Sequence, residues 1–216
     1  MIILITGASH TGKTLLAQKL LKLDVVAYAD PRDCKNIMEQ FGDRVGHYKD
    51  HVKIGGDKIF LDGSPQGRTA WMRQPYAGES DYRGYPTLTD EQVYERMKSA
   101  LERDVQLLAH CNGDRAAEQY LSVMERLERE TGRRLRRPVM IHAQLVGRDQ
   151  LPRLRALGMI PSFFVAHVYH WGEVHVKNFG LERAEHISPA GTACALGIPF
   201  TFHQDCLLYT SPSPRD

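Results

Sequence analysis

The sequence has almost no net charge. Its 28 Lys and Arg residues nearly cancel 26 Asp and Glu residues, which leaves a formal charge of +2. A broad nucleic-acid surface needs a clear basic excess, so we expect no nucleic-acid partner. The one basic cluster, "RETGRRLRRP" at residues 129–138, follows a helical pattern. Because cations complement the carboxyl end of a helix, we interpret this cluster as a solvated helix end.

Long hydrophobic runs and ordered cysteine patterns are also missing. No apolar stretch approaches the roughly 20 residues of a membrane span, and "MIILIT" at residues 1–6 is too short for the apolar core of a leader. The four cysteines form no C-x-x-C pair. Free thiols and a reducing compartment are therefore expected. The sequence predicts a cytoplasmic globular protein with no membrane partner.

A glycine-rich loop stands almost at the start of the chain. "GASHTGKT" at residues 7–14 follows the apolar residues 2–5 and matches the pattern G-x-x-x-x-G-K-[ST]. In such a loop the backbone amides from Gly7 to Gly12 cradle phosphate, while Lys13 binds the β and γ phosphates and Thr14 binds Mg²⁺. A P-loop kinase or NTPase that binds ATP and Mg²⁺ is therefore one candidate function, with Asp30 or Asp62 as its second magnesium-positioning acid.

Strands and helices alternate through the rest of the chain. Apolar strand-like runs occur at residues 24–30, 58–63, 107–114, 138–144, 159–167 and 198–205. Helical patterns lie between them, including one over residues 89–108 that begins at the cap residue Thr89 and places Val105 and Leu108 on its apolar face. A further helix is expected around residues 148–158, broken near Pro152. This alternation predicts an α/β fold with a parallel sheet, either open or closed as a barrel.

Most of these strands carry a polar residue in or just beyond the carboxyl end. The residues are Lys58, His110, His142, His167 and Asp205. In parallel α/β folds the carboxyl ends of the strands meet at one edge, where sites are built. Two imidazoles and a carboxylate can bind Zn²⁺ or another divalent metal, and a nearby carboxylate can carry a proton to a leaving nitrogen. Each histidine alone is also compatible with an ordinary hydrogen-bonded role.

Five segments around these residues resemble consecutive motifs of the amidohydrolase family that includes the N-substituted formamide deformylases, amidohydrolase family 3. The segments are "GGDKIFLDGSPQGRTAW" (55–71), "AHCNGDRAAEQYL" (109–121), "RRPVMIHAQL" (136–145), "ALGMIPSFFVAHVYHWG" (156–172) and "GIPFTFHQD" (197–205). The resemblance covers about residues 23–205. It implies a metal-dependent (β/α)₈ TIM barrel that hydrolyses carbon–nitrogen bonds other than peptide bonds, such as those of small amides or formamides.

The resemblance also implies roles for individual residues. His110 and His142 would be metal ligands at the fifth and sixth strands of the family barrel. Asp205, at the eighth strand, would bind metal and act as the catalytic proton shuttle. Lys58 falls at the fourth strand, where some members of the wider superfamily carry a carboxylated lysine that bridges two metals. Each of these assignments comes from the resemblance alone.

The sequence departs from the family in one respect. Such enzymes supply an H-x-H pair from the first barrel strand, and this sequence contains no H-x-H. The resemblance begins only around the third strand, so about strands 3 to 8 are expected. We therefore expect a partial barrel that is inactive by itself because half of its metal ligands are missing. A metal-free binding scaffold is the third candidate function.

The two ends of the chain are expected to differ from the middle. Residues 1–22 predict the strand and helix of a P-loop βα unit joined to the partial barrel of residues 23–205. The segment "CLLYTSPSPRD" at residues 206–216 has no hydrophobic period and resembles one reading frame of a sequencing adapter. It is expected to be a disordered or artefactual tail and is excluded from the fold.

Overall fold

The computed structural model describes residues 2–5, 24–30 and 34–205. The loop residues Gly7, Gly12, Lys13 and Thr14 lie outside the described residues, and so does the segment 206–216. The predictions of a P-loop and of an artefactual tail therefore fall on parts of the chain for which the structure gives no account.

One parallel sheet organises the described residues. Its seven strands are β1 (Ile2–Ile5), β2 (Asp24–Ala29), β3 (Val52–Phe60), β4 (Gln106–Cys111), β5 (Val139–His142), β6 (Ile160–Phe163) and β7 (Thr201–Phe202). Each strand pairs in parallel with the next one along the chain, in the order β1 to β7. A (β/α)₈ barrel has this same consecutive order. The predicted α/β fold with part of a barrel sheet is confirmed.

Helices connect the strands on the outside of the sheet. They are α1 (Cys34–Phe41), α2 (Asp90–Glu102), α3 (Asp114–Thr131), α4 (Leu151–Ala156), α5 (Ala166–Phe179), α6 (Leu181–Ala184) and α7 (Ala190–Ala195). The core lies between the sheet and helices α2 and α3, and it includes the fully buried side chains of Met97, Tyr120, Leu127 and Met140. No helix within the described ranges has the length and apolar character needed to cross a membrane.

Helix α2 begins where the sequence predicts and ends earlier. The Thr89 side chain accepts the backbone N–H of Gln92, and the Gln92 side chain accepts the backbone N–H of Thr89, which is a complete capping box. The predicted extension through Val105 and Leu108 is wrong. Asp104 takes a positive φ of 52° that ends the helical geometry, and Leu108 lies in β4.

Other element boundaries also differ from the expectation, and β3 runs over Val52–Phe60 instead of residues 58–63. Pro152 does not break a helix but stands in the first turn of α4, where its missing N–H is tolerated. Strand β6 ends at Phe163, because the N–H of His167 bonds back to the carbonyl of Phe164 in a turn that starts α5. Strand β7 contains only Thr201 and Phe202.

Candidate metal centre

The carboxyl edge of the sheet brings three histidines together from three different strands. His110 lies near the end of β4, His142 ends β5, and His203 follows β7 directly. Cys111 of β4 pairs with His142 of β5, so β4 and β5 end at nearly the same level. Because all strands are parallel, their last residues face one shared space. This is the edge at which the sequence predicts a site.

The three imidazoles form a continuous row. Nδ1 of His110 lies 3.0 Å from Nε2 of His142. Nδ1 of His142 lies 2.9 Å from Nε2 of His203. At the far end, Nδ1 of His203 lies 3.0 Å from Oγ of Ser162 in β6. The structure therefore brings His110 and His142 together and adds His203, to which the sequence analysis assigns no role.

Burial keeps the three imidazoles neutral. It lowers the pKa of His110 to about 4, although the hydrogen bond that His110 donates to the Gly63 carbonyl opposes this shift. It also lowers the pKa of His203 to about 4, with help from the charge of Lys58. The pKa of His142 falls well below its ordinary value because the ring is buried and has His110 beside it. At neutral pH each ring therefore has one protonated nitrogen and one lone pair, the form that binds metals.

The other edge of His110 is held by a backbone carbonyl. Its Nε2 lies 3.0 Å from the oxygen of Gly63. The side-chain amide of Asn112 donates to the same oxygen at 2.8 Å and stands 3.0 Å from the His110 Nε2. A carbonyl can only accept, so the His110 proton belongs on Nε2 and its Nδ1 carries the lone pair. Metal-binding histidines usually donate their second N–H to such a carbonyl.

Asp205 and Lys58 border the row. Oδ2 of Asp205 lies 4.0 Å from Nε2 of His142, and the Asp205 side chain is 43% exposed. Burial raises the pKa of Asp205, and Lys58 opposes that rise. Lys58 is buried in β3 with its Nζ 5.2 Å from the centre of the Phe60 ring, and burial lowers its pKa. Both predicted residues thus lie at this edge of the sheet.

The donors fit a divalent metal chemically without forming a finished site. Two nitrogen ligands of a tetrahedral zinc ion, each about 2.0–2.1 Å from it, are separated by roughly 3.3 Å. The 3.0 Å between Nδ1 of His110 and Nε2 of His142 is close to that value. Across the described ranges, no three His, Cys, Asp or Glu side chains are grouped as a ready-made metal site. The residues fit as part of a ligand shell.

His167 lies apart from the row. It belongs to the first turn of α5, not to a strand, and its Nδ1 lies 2.8 Å from Nε2 of the buried His175. Phe164 stands between, with its ring centre 4.8 Å from that of His167 and 5.2 Å from that of His203. The expectation that His167 ends a strand beside the other candidates is therefore wrong, because the chain turns into α5 after Phe164.

Asp62 holds together the loops that follow β3 and β4. Its fully buried carboxylate accepts backbone N–H groups from Trp71 at 3.0 Å, Asn112 at 3.0 Å and Gly113 at 2.7 Å. Burial raises its pKa to about 7, against these three donors. Asp62 is a candidate magnesium ligand under the P-loop hypothesis, but both its oxygens are occupied by backbone donors. In the structure this residue positions the backbone beside His110.

A family model and the name of one curated relative indicate the same family. A model described as "Amidohydrolase family" matches residues 11–214. YtcJ of Bacillus subtilis (strain 168), whose name places it among the amidohydrolases, is 32% identical over 125 residues, which cover 56% of this chain and 23% of YtcJ. The Arabidopsis thaliana protein LONG AFTER FAR-RED 3 is 27% identical over 131 residues, 61% of this chain and 22% of that protein. The matches span less than a quarter of each curated relative.

Solved structures show the same relationship. A metal-dependent hydrolase from Pyrococcus furiosus, described as uncharacterized, is 25% identical with a TM-score of 0.75, over 94% of this chain and 42% of that one. A second such hydrolase, from Pyrococcus horikoshii OT3, has the same fold, with 23% identity and a TM-score of 0.74 over 94% of this chain and 40% of its own. The parallel sheet is thus the curled half-barrel of this group.

Proposed function

The chain belongs to the amidohydrolase family, and we propose that its histidine row is part of a divalent-metal site for hydrolysis of small amides or formamides. The observation that carries this proposal is the approach of His110 Nδ1 to His142 Nε2 at the carboxyl edge, with Asp205 beside them. Neutral imidazoles and one carboxylate are a donor set that suits Zn²⁺ and related divalent metals. The substrate would be a small molecule.

Each residue has a distinct part in this proposal. Nδ1 of His110 and Nε2 of His142 would hold the metal, because their second nitrogens already have partners. A bound divalent cation supplies Lewis-acid chemistry, since it polarises a carbonyl oxygen and makes water more acidic. Asp205 is exposed enough to meet both water and substrate, and it would take a proton from water and deliver it to the leaving nitrogen.

Lys58 would border the metal site on the side of β3. It is buried, and its pKa is lowered mainly by that burial, so its amine loses its proton more readily than an exposed lysine does. Carboxylation of this amine would add an anionic oxygen ligand. Intact-mass measurement in bicarbonate buffer tests whether Lys58 is carboxylated, and Lys58→Met should remove any added mass.

A zinc titration followed by an amidase assay tests the proposal. We expect zinc to bind at the row and the binding to be lost in His142→Ala, whereas His47→Ala, which removes an exposed histidine, changes nothing. Because the sequence lacks H-x-H, we expect little hydrolysis of N-substituted formamides by this chain. Zinc binding that is indifferent to His142→Ala would refute the metal site, and efficient turnover would refute the expected inactivity.

We also propose that residues 1–22 form a P-loop βα unit fused to the barrel segment. The support is the "GASHTGKT" motif together with the parallel pairing of β1 with β2, Ile2 with Asp24 and Ile5 with Ala27. This unit predicts ATP binding that Lys13→Ala abolishes. Equal ATP affinity of the original protein and Lys13→Ala would refute the P-loop function. DNA that is continuous with a natural gene across the codons for residues 15–30 would remove the fusion.

A further inference from the structure

The hydrogen bonds along the histidine row all run in one donor-to-acceptor direction when no cation is bound. We assign the His110 proton to Nε2 because the Gly63 carbonyl beside it can only accept, and in this tautomer Nδ1 accepts while His142 donates from Nε2. The Nδ1 of His142 then accepts from Nε2 of His203. The Nδ1 of His203 in turn accepts the hydroxyl proton of Ser162. In this arrangement all three rings are protonated on Nε2, and every nitrogen of the row has a partner.

Ligation of a cation by His142 is incompatible with that direction. A neutral imidazole carries one N–H, so a lone pair on Nε2 of His142 requires its proton to be on Nδ1. Nδ1 faces Nε2 of His203 at 2.9 Å, and that nitrogen must then accept. The His203 proton must therefore move to its own Nδ1, where it faces Oγ of Ser162.

Ser162 can switch from hydrogen-bond donor to hydrogen-bond acceptor when the His203 proton moves. A hydroxyl can either donate or accept, so Ser162 Oγ can accept from His203 and turn its own proton toward Oγ1 of Thr201, 2.9 Å away. Thr201 is exposed, and its hydroxyl can donate to water. Three ring protons are present before and after, and the net charge of the row does not change. His110 keeps its proton on Nε2 throughout, because Gly63 fixes it.

We propose that binding of a divalent cation at His110 and His142 reverses the hydrogen bond between His142 and His203, and that His203 and Ser162 are positioning residues that hold the metal-binding tautomer. This inference rests on the proposed metal site. His203 would keep the His142 ring oriented and increase its basicity as a ligand. Loss of such an outer partner typically weakens metal affinity about 10–100-fold.

Nitrogen-15 NMR of the histidine-labelled full chain at pH 7, with and without zinc, tests the reversal directly. Without zinc we expect all three rings to show the Nε2–H tautomer. With zinc, His142 and His203 should change to Nδ1–H while His110 stays unchanged. A His203 ring that keeps Nε2–H while zinc occupies His142 would overturn the inference. If zinc perturbs none of the three rings, the proposed metal site is wrong and the inference falls with it.

Zinc affinity provides a second readout that does not depend on activity. His203→Leu and Ser162→Ala should each raise the dissociation constant about 10–100-fold. His203→Gln, which can still present an acceptor to His142, should recover most of the loss, and the exposed control Ser80→Ala should have no effect. Denaturation midpoints establish that each variant is folded. Suppose that the dissociation constant changes by less than about threefold in both test variants while binding is still lost in His142→Ala. This result would refute the role of His203 and Ser162 without refuting the metal site.

Discussion

Gly113→Ala should destabilise the protein strongly although the backbone there is ordinary. Gly113 stands between β4, which carries His110, and helix α3, with φ −81° and ψ 153°. Any residue can adopt these angles, so alanine brings no conformational strain. The difficulty is space, because an added Cβ would lie 1.9 Å from the carbonyl oxygen of Trp71 and 2.5 Å from its carbonyl carbon. Both are backbone atoms that no side-chain rotation can move.

The cost follows from what the Trp71 carbonyl does. Its oxygen accepts the N–H groups of Arg115 at 3.1 Å and Ala116 at 3.3 Å. Moving it far enough to admit a methyl group weakens both bonds, at about 0.5–1.5 kcal/mol each. Overpacking adds about 1–3 kcal/mol, and reduced freedom of the unfolded chain returns about 0.4–1 kcal/mol. We expect a net loss of about 3 kcal/mol.

Urea unfolding at neutral pH measures this loss, with Gly172→Ala as the matched control. Gly172 lies inside α5, and an added Cβ there meets nothing within 4 Å. The control should stabilise the protein by about 0.5–1 kcal/mol, because alanine is the better helix former. The two substitutions thus have opposite expected signs. A Gly113→Ala protein as stable as the original would refute the close approach between Gly113 and Trp71, which lies in the loop between β3 and α2.

Three further predictions concern the hydrophobic core, the stability at acidic pH and the binding of metal. Leu127→Ala, at a fully buried position, should cost about 2–5 kcal/mol in urea unfolding, whereas Leu181→Ala, at a 66% exposed position, should cost less than about 1 kcal/mol. Partial burial raises the pKa of Glu118, but hydrogen bonds from Arg153 and Arg73 outweigh it and lower the pKa to about 2 from an ordinary 4.5. The Glu118 carboxylate therefore stabilises the fold above pH 4.5 and loses this contribution as the pH falls toward 2, so the melting-temperature difference between the original protein and Glu118→Gln should shrink over that range; a constant difference would contradict the ion pairs. Zinc at 100 times its dissociation constant should stabilise the protein by about 2.7 kcal/mol, and the thermal shift should disappear with a chelator or in His142→Ala; a shift that survives in this variant would place the zinc elsewhere.

The order of strands and helices could be predicted from hydrophobic patterning, whereas their ends could not. Leu108 fits the helical period of the preceding segment as well as it fits a strand. The positive φ of Asp104 separates the two elements, and although Asp adopts this conformation more often than most residues, its presence in the sequence does not require it. The same holds for β6, where the apolar run continues past Phe163 although the backbone has turned into α5. Patterning records how apolar the residue types are and not where the backbone turns, since Val165 continues the apolar run after Phe163 although it is 37% exposed.

The candidate site could be predicted in part for a related reason. His142 and Asp205 follow apolar strands, so their place at the carboxyl edge follows from parallel topology. His203 carried a usable signal, since it stands two residues before Asp205 and alternate residues of a strand share a face. The functions of Asp62 and Gly113 had no such signal. They depend on where Trp71, in the loop between β3 and α2, packs against the end of β4, which is a tertiary contact.

The contact between His203 and His142 depends on β6, the strand that lies between them. His142 ends β5 and His203 follows β7, so β6 lies between them, with Ile141, Ser162 and Thr201 at one level of the three strands. Neighbouring strands are about 4.8 Å apart, so the two backbones are separated by roughly 10 Å. Ser162 is small enough for the His203 ring to pass above it, and it supplies the hydroxyl that binds Nδ1. A leucine at this position would block the ring and remove the hydroxyl together. The strand that contributes no ligand therefore determines whether the row can form.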